Sequence, residues 1–339
     1  MKKILLYNLI LSIIILSCNV LNAQTVGTTA GQFLKIGAGA RAVGMGGAYT
    51  GLSNDIYAIY YNPAGIANTD GNALVSFNHA NWLADISYDF AAVAVNLQEF
   101  GVLFADLTSL GVPQDKVRTF AFPEGNGEYW GASSLALGIG YAKKLTDRFS
   151  IGFQAKYIHE SIWNESASGF ALDVGTYYIT PFNDLIIGAS VSNFGSKMQL
   201  SGSDIQFNND PNNSVNSGPN NILSQYSMDS FDLPLTFRIG LSMNLIKSRY
   251  IRLTGDIDAD HPNDNTEYLN NGLELAYNET FFVRAGYRNL FMTNSEGGLS
   301  LGGGINYKFS DQITVMFNYG WTNYGRLNSV QFIDLGLQL

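Results

Sequence analysis

From residue 72 to its end, the chain places an apolar residue at every second position in one segment after another. Between Leu235 and Leu245, for example, the odd-numbered residues are apolar and those between them are polar or glycine. Because successive side chains of a strand point to opposite faces, each segment would have one oily and one polar face. Most segments reach the roughly 9–11 residues that cross a bilayer as a tilted strand. The sequence therefore predicts an all-β fold, a transmembrane antiparallel barrel of about fourteen strands. The segments are 72–81, 84–97, 100–109, 132–145, 148–163, 167–180, 184–195, 233–246, 249–260, 267–277, 280–290, 299–308, 312–322 and 328–338.

The connections between these segments fall into two classes. With the N-terminus on the periplasmic side, every connection on that side is a short turn, whereas 110–131 and 196–232 are long loops on the other side. Short periplasmic turns and long external loops are typical of outer-membrane barrels. Tyr and Trp residues lie towards the segment ends, where interfacial aromatic girdles occur. They are Tyr88, Tyr141, Tyr157, Trp163, Tyr250, Tyr307, Tyr319, Trp321 and Tyr324. The predicted location is the outer membrane, with lipid against the oily face.

Residues 1–23 have the composition of a secretory signal peptide. Lys2 and Lys3 precede an apolar run, and Ala23 precedes a plausible cleavage position. Cys18 is the only cysteine of the chain, so no disulfide framework is expected. The residues around Cys18 also loosely match a lipoprotein cleavage box, which leaves lipidation as the alternative to cleavage after Ala23.

A glycine-rich stretch, 37–65, precedes the first predicted strand and has neither helical nor strand periodicity. A barrel of fourteen strands is too wide for its own side chains to fill. Irregular backbone is tolerated at membrane depth when protein surrounds it. We therefore predict a lumen plug within residues 24–71, followed by the barrel at 72–339. The predicted plug residues are Arg41, Gly44, Gly46, Gly47, Asp55, Asn62, Pro63, Ala64 and Gly65.

Three features of this prediction have alternative interpretations. Asp55 would either pair with an inward arginine or cap a short helix. The turn Asn62-Pro63-Ala64-Gly65 would either end the plug, which we favour, or gate a ligand path. Charged residues on the polar faces of neighbouring strands would either bind the plug or form an ordinary polar lumen. They are Arg238, Arg252, Asp256, Asp258, Glu274, Arg284 and Arg288.

Several classes of function have no support in the sequence. The formal charge of −9 makes nucleic acid an unexpected partner. The aspartates at 256–264 begin like a calcium loop, but His261 stands at the sharp-turn position and no glutamate closes the loop. The three histidines, His79, His159 and His261, lack metal-ligand spacing. No nucleophile elbow or phosphate-binding loop is present. We therefore predict no catalytic residue, no metal and no cofactor.

Separate stretches, in order, carry a resemblance to a known family. They are Phe33 to Ile36, Gly39 to Ala42, Gly44 to Ala48, Tyr61 to Gly65, Leu145 to Phe149 and His261 to Asn265. Together with a barrel behind a glycine-rich plug, they resemble the PorV/PorQ family within the FadL-type outer-membrane superfamily. The resemblance implies a non-enzymatic platform for type IX protein secretion, with secretion components or cargo bound through loops 110–131 and 196–232. The superfamily also implies an alternative function, the transport of hydrophobic small molecules.

Overall fold

The computed structural model describes residues 27–210, 222–293 and 295–339. The signal peptide predicted at 1–23, including Cys18, lies outside these residues, as does the middle of the predicted loop 196–232.

Within the described residues, fourteen strands form one closed antiparallel barrel, which confirms the predicted fold. Each strand pairs with its neighbours in the chain, and the first closes on the last, with Leu74 opposite Gln338 and Asn81 opposite Gln331. The strands are β1 (Ala73–Asn81), β2 (Ser87–Asn96), β3 (Val102–Lys116), β4 (Tyr129–Thr146), β5 (Phe149–Ile162), β6 (Glu165–Ile179), β7 (Ile186–Gly195), β8 (Thr236–Lys247), β9 (Ile251–Pro262), β10 (Tyr268–Tyr277), β11 (Phe281–Leu290), β12 (Leu299–Lys308), β13 (Thr314–Asn323) and β14 (Ser329–Gln338).

The apolar face of the strands is the outer face of the barrel. On β8, Phe237, Ile239 and Leu241 are exposed, whereas Thr236 and Ser242 are buried. Exposed aliphatic and aromatic side chains on a closed cylinder suit a lipid solvent and not water. The protein therefore lies in the outer membrane with its polar face turned to the lumen.

The two ends of the barrel differ in their connections. The short-turn end carries 97–101, 147–148, 180–185, 248–250, 278–280 and 309–313, and the long-loop end carries 82–86, 117–128, 163–164, 196–235, 263–267, 291–298 and 324–328. Asn278 and Glu279 both have positive φ, as a tight hairpin turn matched to strand twist requires. In outer-membrane barrels the long-loop end faces outward.

The predicted loop 110–131 is wrong in extent. β3 and β4 continue past the predicted strand ends, with Asp115 opposite Trp130 and Lys116 opposite Tyr129, so that only 117–128 connects them. The pairing shifts register between Val112 and Asp115, around Pro113, which cannot donate a ladder hydrogen bond. The parts of a strand outside the membrane need no apolar face. The alternation of apolar and polar residues, by which the strands were predicted, is therefore absent there.

The predicted loop 196–232 contains short paired strands where no periodicity indicated them. Met198–Gln199 pairs with Ser230–Phe231, Gln206–Asn209 pairs with Ile222–Gln225, and Ser201–Gly202 pairs with the start of β6. The described parts of this loop therefore form a folded surface at the long-loop end.

Two of the predicted girdle aromatics face the lumen. Tyr88 is buried, and its hydroxyl donates to the carbonyl of Ile36 at 3.1 Å. Tyr324 accepts a hydrogen bond from Arg288. Position near a strand end does not reveal which face a ring occupies, and here two rings pack inward.

The N-terminal segment, defined here as residues 27–72, runs through the barrel from the long-loop end to the short-turn end. Thr29 donates from Oγ1 to Asp264, in the connection between β9 and β10, at 2.7 Å. Asn72 donates from its backbone N–H to the carbonyl of Leu339 at 2.6 Å. The assumption that the chain starts on the periplasmic side is therefore right for the start of β1 and wrong for residues 27–35.

Short helices are the only regular structure described within this segment. They are the 3₁₀ turns Gln32–Lys35 and Gly65–Asn68 and the α-helices α1 (Ala40–Gly44) and α2 (Ala58–Tyr61). Further 3₁₀ turns, at Leu83–Asp85, Gln98–Phe100 and Gly325–Leu327, lie in connections between strands. None of the helices in the described part of the chain is long and apolar enough to span a membrane.

Candidate functional site at the lumen wall

Glu274, on β10, is the centre of a buried charge cluster. Arg41 of α1 donates to it from Nε at 2.7 Å and from Nη2 at 2.8 Å. Arg284 of β11 donates from Nε at 2.7 Å, and Arg252 of β9 donates from Nη1 at 3.1 Å. Glu274 is fully buried, so these charge-assisted bonds replace its hydration. One glutamate thus joins the N-terminal segment to three neighbouring strands.

Other wall carboxylates accept backbone N–H groups of the N-terminal segment. Asp258 accepts from Tyr49 and Thr50, both at 2.8 Å, and Asp256 accepts from Leu52 at 2.9 Å. On β14, Asp334 accepts from Ala40 at 2.8 Å. Irregular backbone in a lumen must satisfy its donors, because an unpaired buried N–H is costly. These aspartates supply the acceptors that a regular helix or sheet would otherwise provide.

Asp55 pairs with an arginine, but this arginine belongs to the segment itself, and its bond before α2 is not a side-chain helix cap. Arg41 donates to its carboxylate at 3.1 Å, and the Tyr49 hydroxyl donates to the same oxygen. Its other oxygen accepts the N–H of Tyr57 at 3.0 Å, just before α2. Asp55 therefore holds Arg41 in place while it organises the start of α2.

The turn at 62–65 lies against strands β5 to β7 of the wall. Asn62 donates from Nδ2 to the carbonyl of Thr176 on β6 at 2.9 Å and to that of Thr50 at 3.1 Å. Its Oδ1 accepts the N–H of Ala64 at 3.2 Å. Gly65 packs directly against Ser53. Asn62, Ala64 and Gly65 are buried, as a structural role for the turn would require.

Glycines of the N-terminal segment come close to the backbone of the wall. At Gly46, where φ is +70°, an added Cβ would lie 2.7 Å from the N of Tyr287 and 2.8 Å from the O of Asn271. Gly44 similarly approaches Gly302. Gly47 also has positive φ, but an added Cβ would meet only the Asn270 amide, at 3.6 Å. A side chain at position 46 would therefore clash with the wall, whereas position 47 favours glycine only because of its positive φ.

Inward glycines of the strands are contact residues that the sequence reasoning missed. At each of them, an added Cβ would collide with an atom of the N-terminal segment. The signal that could have found them is glycine at lumen-facing positions of successive strands, where nothing else explains the lack of a side chain. They are Gly152, Gly175, Gly188, Gly240, Gly272, Gly286 and Gly320.

Not all of the predicted lumen charges bind the N-terminal segment. Arg238 donates to Asp260 at 2.9 Å and to Ser192 at 2.9 Å, both on the wall. Arg288 donates to Tyr324. Within the described residues, neither arginine forms an ion pair or hydrogen bond with the segment. The seven predicted charges thus divide into a group that anchors the segment, around Glu274, Asp256 and Asp258, and a wall group nearer the long-loop end.

A further ion pair, missed by the sequence reasoning, ties the segment to the long-loop end. Lys35 donates to Asp264 at 2.8 Å, and Gln32 donates to the same carboxylate at 2.8 Å. Burial would raise the pKa of Asp264, but the hydrogen bonds from Lys35, Gln32 and Thr29 outweigh it and hold that pKa below its usual range. This contact contributes stability above the unfolded-state pKa, and that contribution is lost as the pH falls through the folded-state pKa.

No group of three or more metal-ligating side chains within the described residues could hold a metal ion. Asp256, Asp258 and Asp260 do line one face of β9, but they accept from different partners: the first two from backbone N–H groups and the third from Arg238. The hydrogen bonds of Asp256 and Asp258 thus join the N-terminal segment to the wall.

Several solved structures share this fold. The crystal structure of the Pseudomonas putida toluene transporter TodX is 14% identical, with a TM-score of 0.53, over 89% of this chain and 97% of that one. A Pseudomonas aeruginosa FadL homologue is 12% identical, with a TM-score of 0.55, over 88% and 97%. The Ralstonia pickettii toluene transporter TbuX is 13% identical, with a TM-score of 0.53, over 89% and 97%. At these identities the likeness establishes a FadL-like barrel and nothing finer.

No curated protein matches the chain significantly. The family model described as "Type IX secretion system protein PorV" matches residues 19–236. The match takes in the N-terminal segment and the strands up to the start of β8, and it ends before the wall charges at 238–288. The chain therefore belongs to the PorV family of type IX secretion system proteins.

Proposed function

We propose that the protein is a non-enzymatic platform for type IX secretion, with residues 24–71 as a plug and 72–339 as the barrel that carries it. In this proposal the plug residues and wall charges keep the lumen closed, and the external loops bind cargo or secretion components. Family membership supports the secretion role. The buried contacts of Arg41, Asp256 and Asp258 support a seated plug.

The observation that carries the platform proposal is the exposed aromatic surface of the long-loop end. Phe120 and Phe122 protrude from the 117–128 connection, and Phe120 is fully exposed. Phe207 and Tyr226 pack against each other in the 196–235 connection, 5.0 Å between ring centroids, and both remain exposed. These rings belong to connections and not to the lipid-facing strand surface. Exposed aromatic clusters of this kind mark sites of protein binding.

Replacing these rings tests the proposal. We expect Phe120→Ser with Phe122→Ser, or Phe207→Ser with Tyr226→Ser, to reduce the secretion components that co-purify after crosslinking of whole cells by at least roughly tenfold, the loss expected from two binding-centre residues. The matched control is Phe100→Ser with Phe182→Ser, which removes two exposed rings from the short-turn end. If both loop variants retain every partner at the level of this control, the external rings are not the docking surface.

A second candidate function, transport of a hydrophobic molecule, rests on a cavity at the rim of the long-loop end. The cavity, of about 350 Å³, lies between the N-terminal segment and the 196–235 connection. Its apolar lining includes Met198, Leu200, Met228 and Phe231. The toluene transporters among the similar structures favour this reading. A lipid-like molecule that co-purifies without any protein partner would support transport over the platform.

A further inference from the structure

A small polar cavity lies between the N-terminal segment and the wall group of charges. Its volume is about 40 Å³, enough for one small ion or very few waters. Val43 is the one aliphatic side chain in the lining. The lining residues are Lys35, Gly37, Val43, Gly47, Tyr60, Tyr61, Arg238, Asp260, Tyr268, Asn270 and Arg288.

The charges around this cavity do not cancel. Asp260 is bound by Arg238 at 2.9 Å and by Asn270 at 3.0 Å. Lys35 is bound to Asp264 at 2.8 Å. For Arg288, by contrast, the described part of the chain offers no carboxylate within ion-pair distance, and its bonded partner is the neutral hydroxyl of Tyr324. Among the described residues, Arg288 is therefore the one cation of the lining without a directly bonded carboxylate, and its half-buried side chain lies in a lining where cations outnumber carboxylates.

Two buried donors at this cavity also lack acceptors. The Nε of Arg288 and the hydroxyl of Tyr61 have no hydrogen-bond partner in the described structure. Tyr61 is almost fully buried, at 4% exposed. Its hydroxyl lies beside Gly37, only 2.8 Å from where a Cβ would stand, and Gly37 lines the cavity. One donor belongs to the barrel wall and the other to the N-terminal segment.

We propose that this cavity binds a monovalent anion of chloride size, held by Arg288 and Tyr61. A single negative charge balances the one arginine of the lining that has no bonded carboxylate. Its coordination supplies the acceptor that each of the two donors lacks. The volume and the polar lining leave no room for the hydrocarbon tail of a lipid-like acid. Bound in this position, the anion links the segment to the wall at the level where Arg238 and Arg288 make no direct contact with it.

The test is the anion dependence of thermal unfolding of the full protein in detergent, at constant ionic strength. Replacing sodium gluconate by sodium chloride or bromide should raise the apparent Tm saturably, by roughly 2–5 °C, through selective binding to the folded state. Tyr61→Phe and Arg288→Gln should each remove most of this dependence. Arg326→Gln, at an exposed arginine paired with Glu296, should leave it unchanged. Crystals grown in bromide should show an anomalous peak between Arg288 and Tyr61.

Tyr61→Phe deletes one hydroxyl and keeps the ring, so it remains informative if Arg288→Gln fails to fold. The proposal is overturned if halides and gluconate give the same Tm, if Tyr61→Phe retains the full halide response, or if bromide gives no peak in the cavity. A rise produced by acetate and by neither halide would equally overturn the assignment of a halide-sized ion.

Discussion

Replacing Glu274 by glutamine should strongly destabilise the protein. The variant keeps the shape of the side chain but leaves Arg41, Arg252 and Arg284 around a neutral amide, so that three positive charges repel one another in a buried site. Removing one partner of a buried ion pair costs about 3–5 kcal/mol. We expect an apparent Tm lower by roughly 10 °C, measured in detergent from tryptophan fluorescence or heat-dependent gel mobility.

Two further variants distinguish the effect of losing the Glu274 ion pairs from the effect of losing any carboxylate. Glu296→Gln removes a carboxylate from a solvent-exposed pair with Arg326 and should change the Tm by no more than about 2 °C. Arg41→Gln combined with Glu274→Gln removes the acid together with one of the surplus cations. It should be less destabilised than the sum of the two single variants. An unchanged Tm for Glu274→Gln would show that the cluster does not hold the N-terminal segment.

Replacing Gly46 by alanine should displace the N-terminal segment, whereas the same change at Gly47 should be tolerated. Both glycines have positive φ, which costs alanine about 1–2 kcal/mol. At Gly46 the new methyl group would also press on the backbone of Tyr287 and Asn271, which cannot rotate away. Overpacking of this kind adds about 1–3 kcal/mol. Gly46→Ala should therefore lower the stability by roughly 2–5 kcal/mol.

The informative quantity is the difference in stability between the two variants. Both carry the cost of alanine at positive φ, so that cost cancels in the difference. Gly47→Ala should lower the stability by about 1–2 kcal/mol only. Proteolysis of native protein gives a second measurement, because a displaced segment exposes its backbone to the protease. If Gly46→Ala and Gly47→Ala are equally stable and equally protected, the close approach of Gly46 to β10 and β11 is wrong.

The strands could be predicted from the sequence because lipid requires one face of each strand to be apolar. That constraint ends where the membrane ends. The strand ends beyond it, such as Asp115 opposite Trp130, and the small strands in 196–235 were therefore not predictable. The inward orientation of Tyr88 was missed for a related reason: tyrosine suits both an interfacial girdle and a polar lumen.

The site could be predicted as a set of residues but not as a set of contacts. Alternation places Glu274 and Arg284 on the lumen face, and the register puts them opposite each other on adjacent strands. Arg41, which belongs to the same cluster, is 233 positions away from Glu274 in the chain. Its depth in the lumen depends on the path of a segment without periodicity. The acceptors Asp334 and Asp264 depend on the same path, so no local pattern marked them.

The contacts between the N-terminal segment and the wall extend from one end of the barrel to the other. Buried bonds and backbone-to-backbone packing join the segment to the wall, from the Asp264 pair at one end to the Leu339 hydrogen bond at the other. This arrangement supports the proposal that the barrel presents its loops to partners at the long-loop end.

The N-terminal segment threads the barrel, entering at the external end and leaving at the periplasmic end. Labelling of single-cysteine variants in intact cells with a membrane-impermeant maleimide tests it directly. Gln32 and Asp70 are both exposed and lie at opposite ends of the segment. We expect Gln32→Cys to be labelled in intact cells and Asp70→Cys to be labelled only after the outer membrane is permeabilised. The unmodified chain serves as the blank for Cys18. Protection of Gln32→Cys together with labelling of Asp70→Cys in intact cells, or equal labelling of the two, would contradict it.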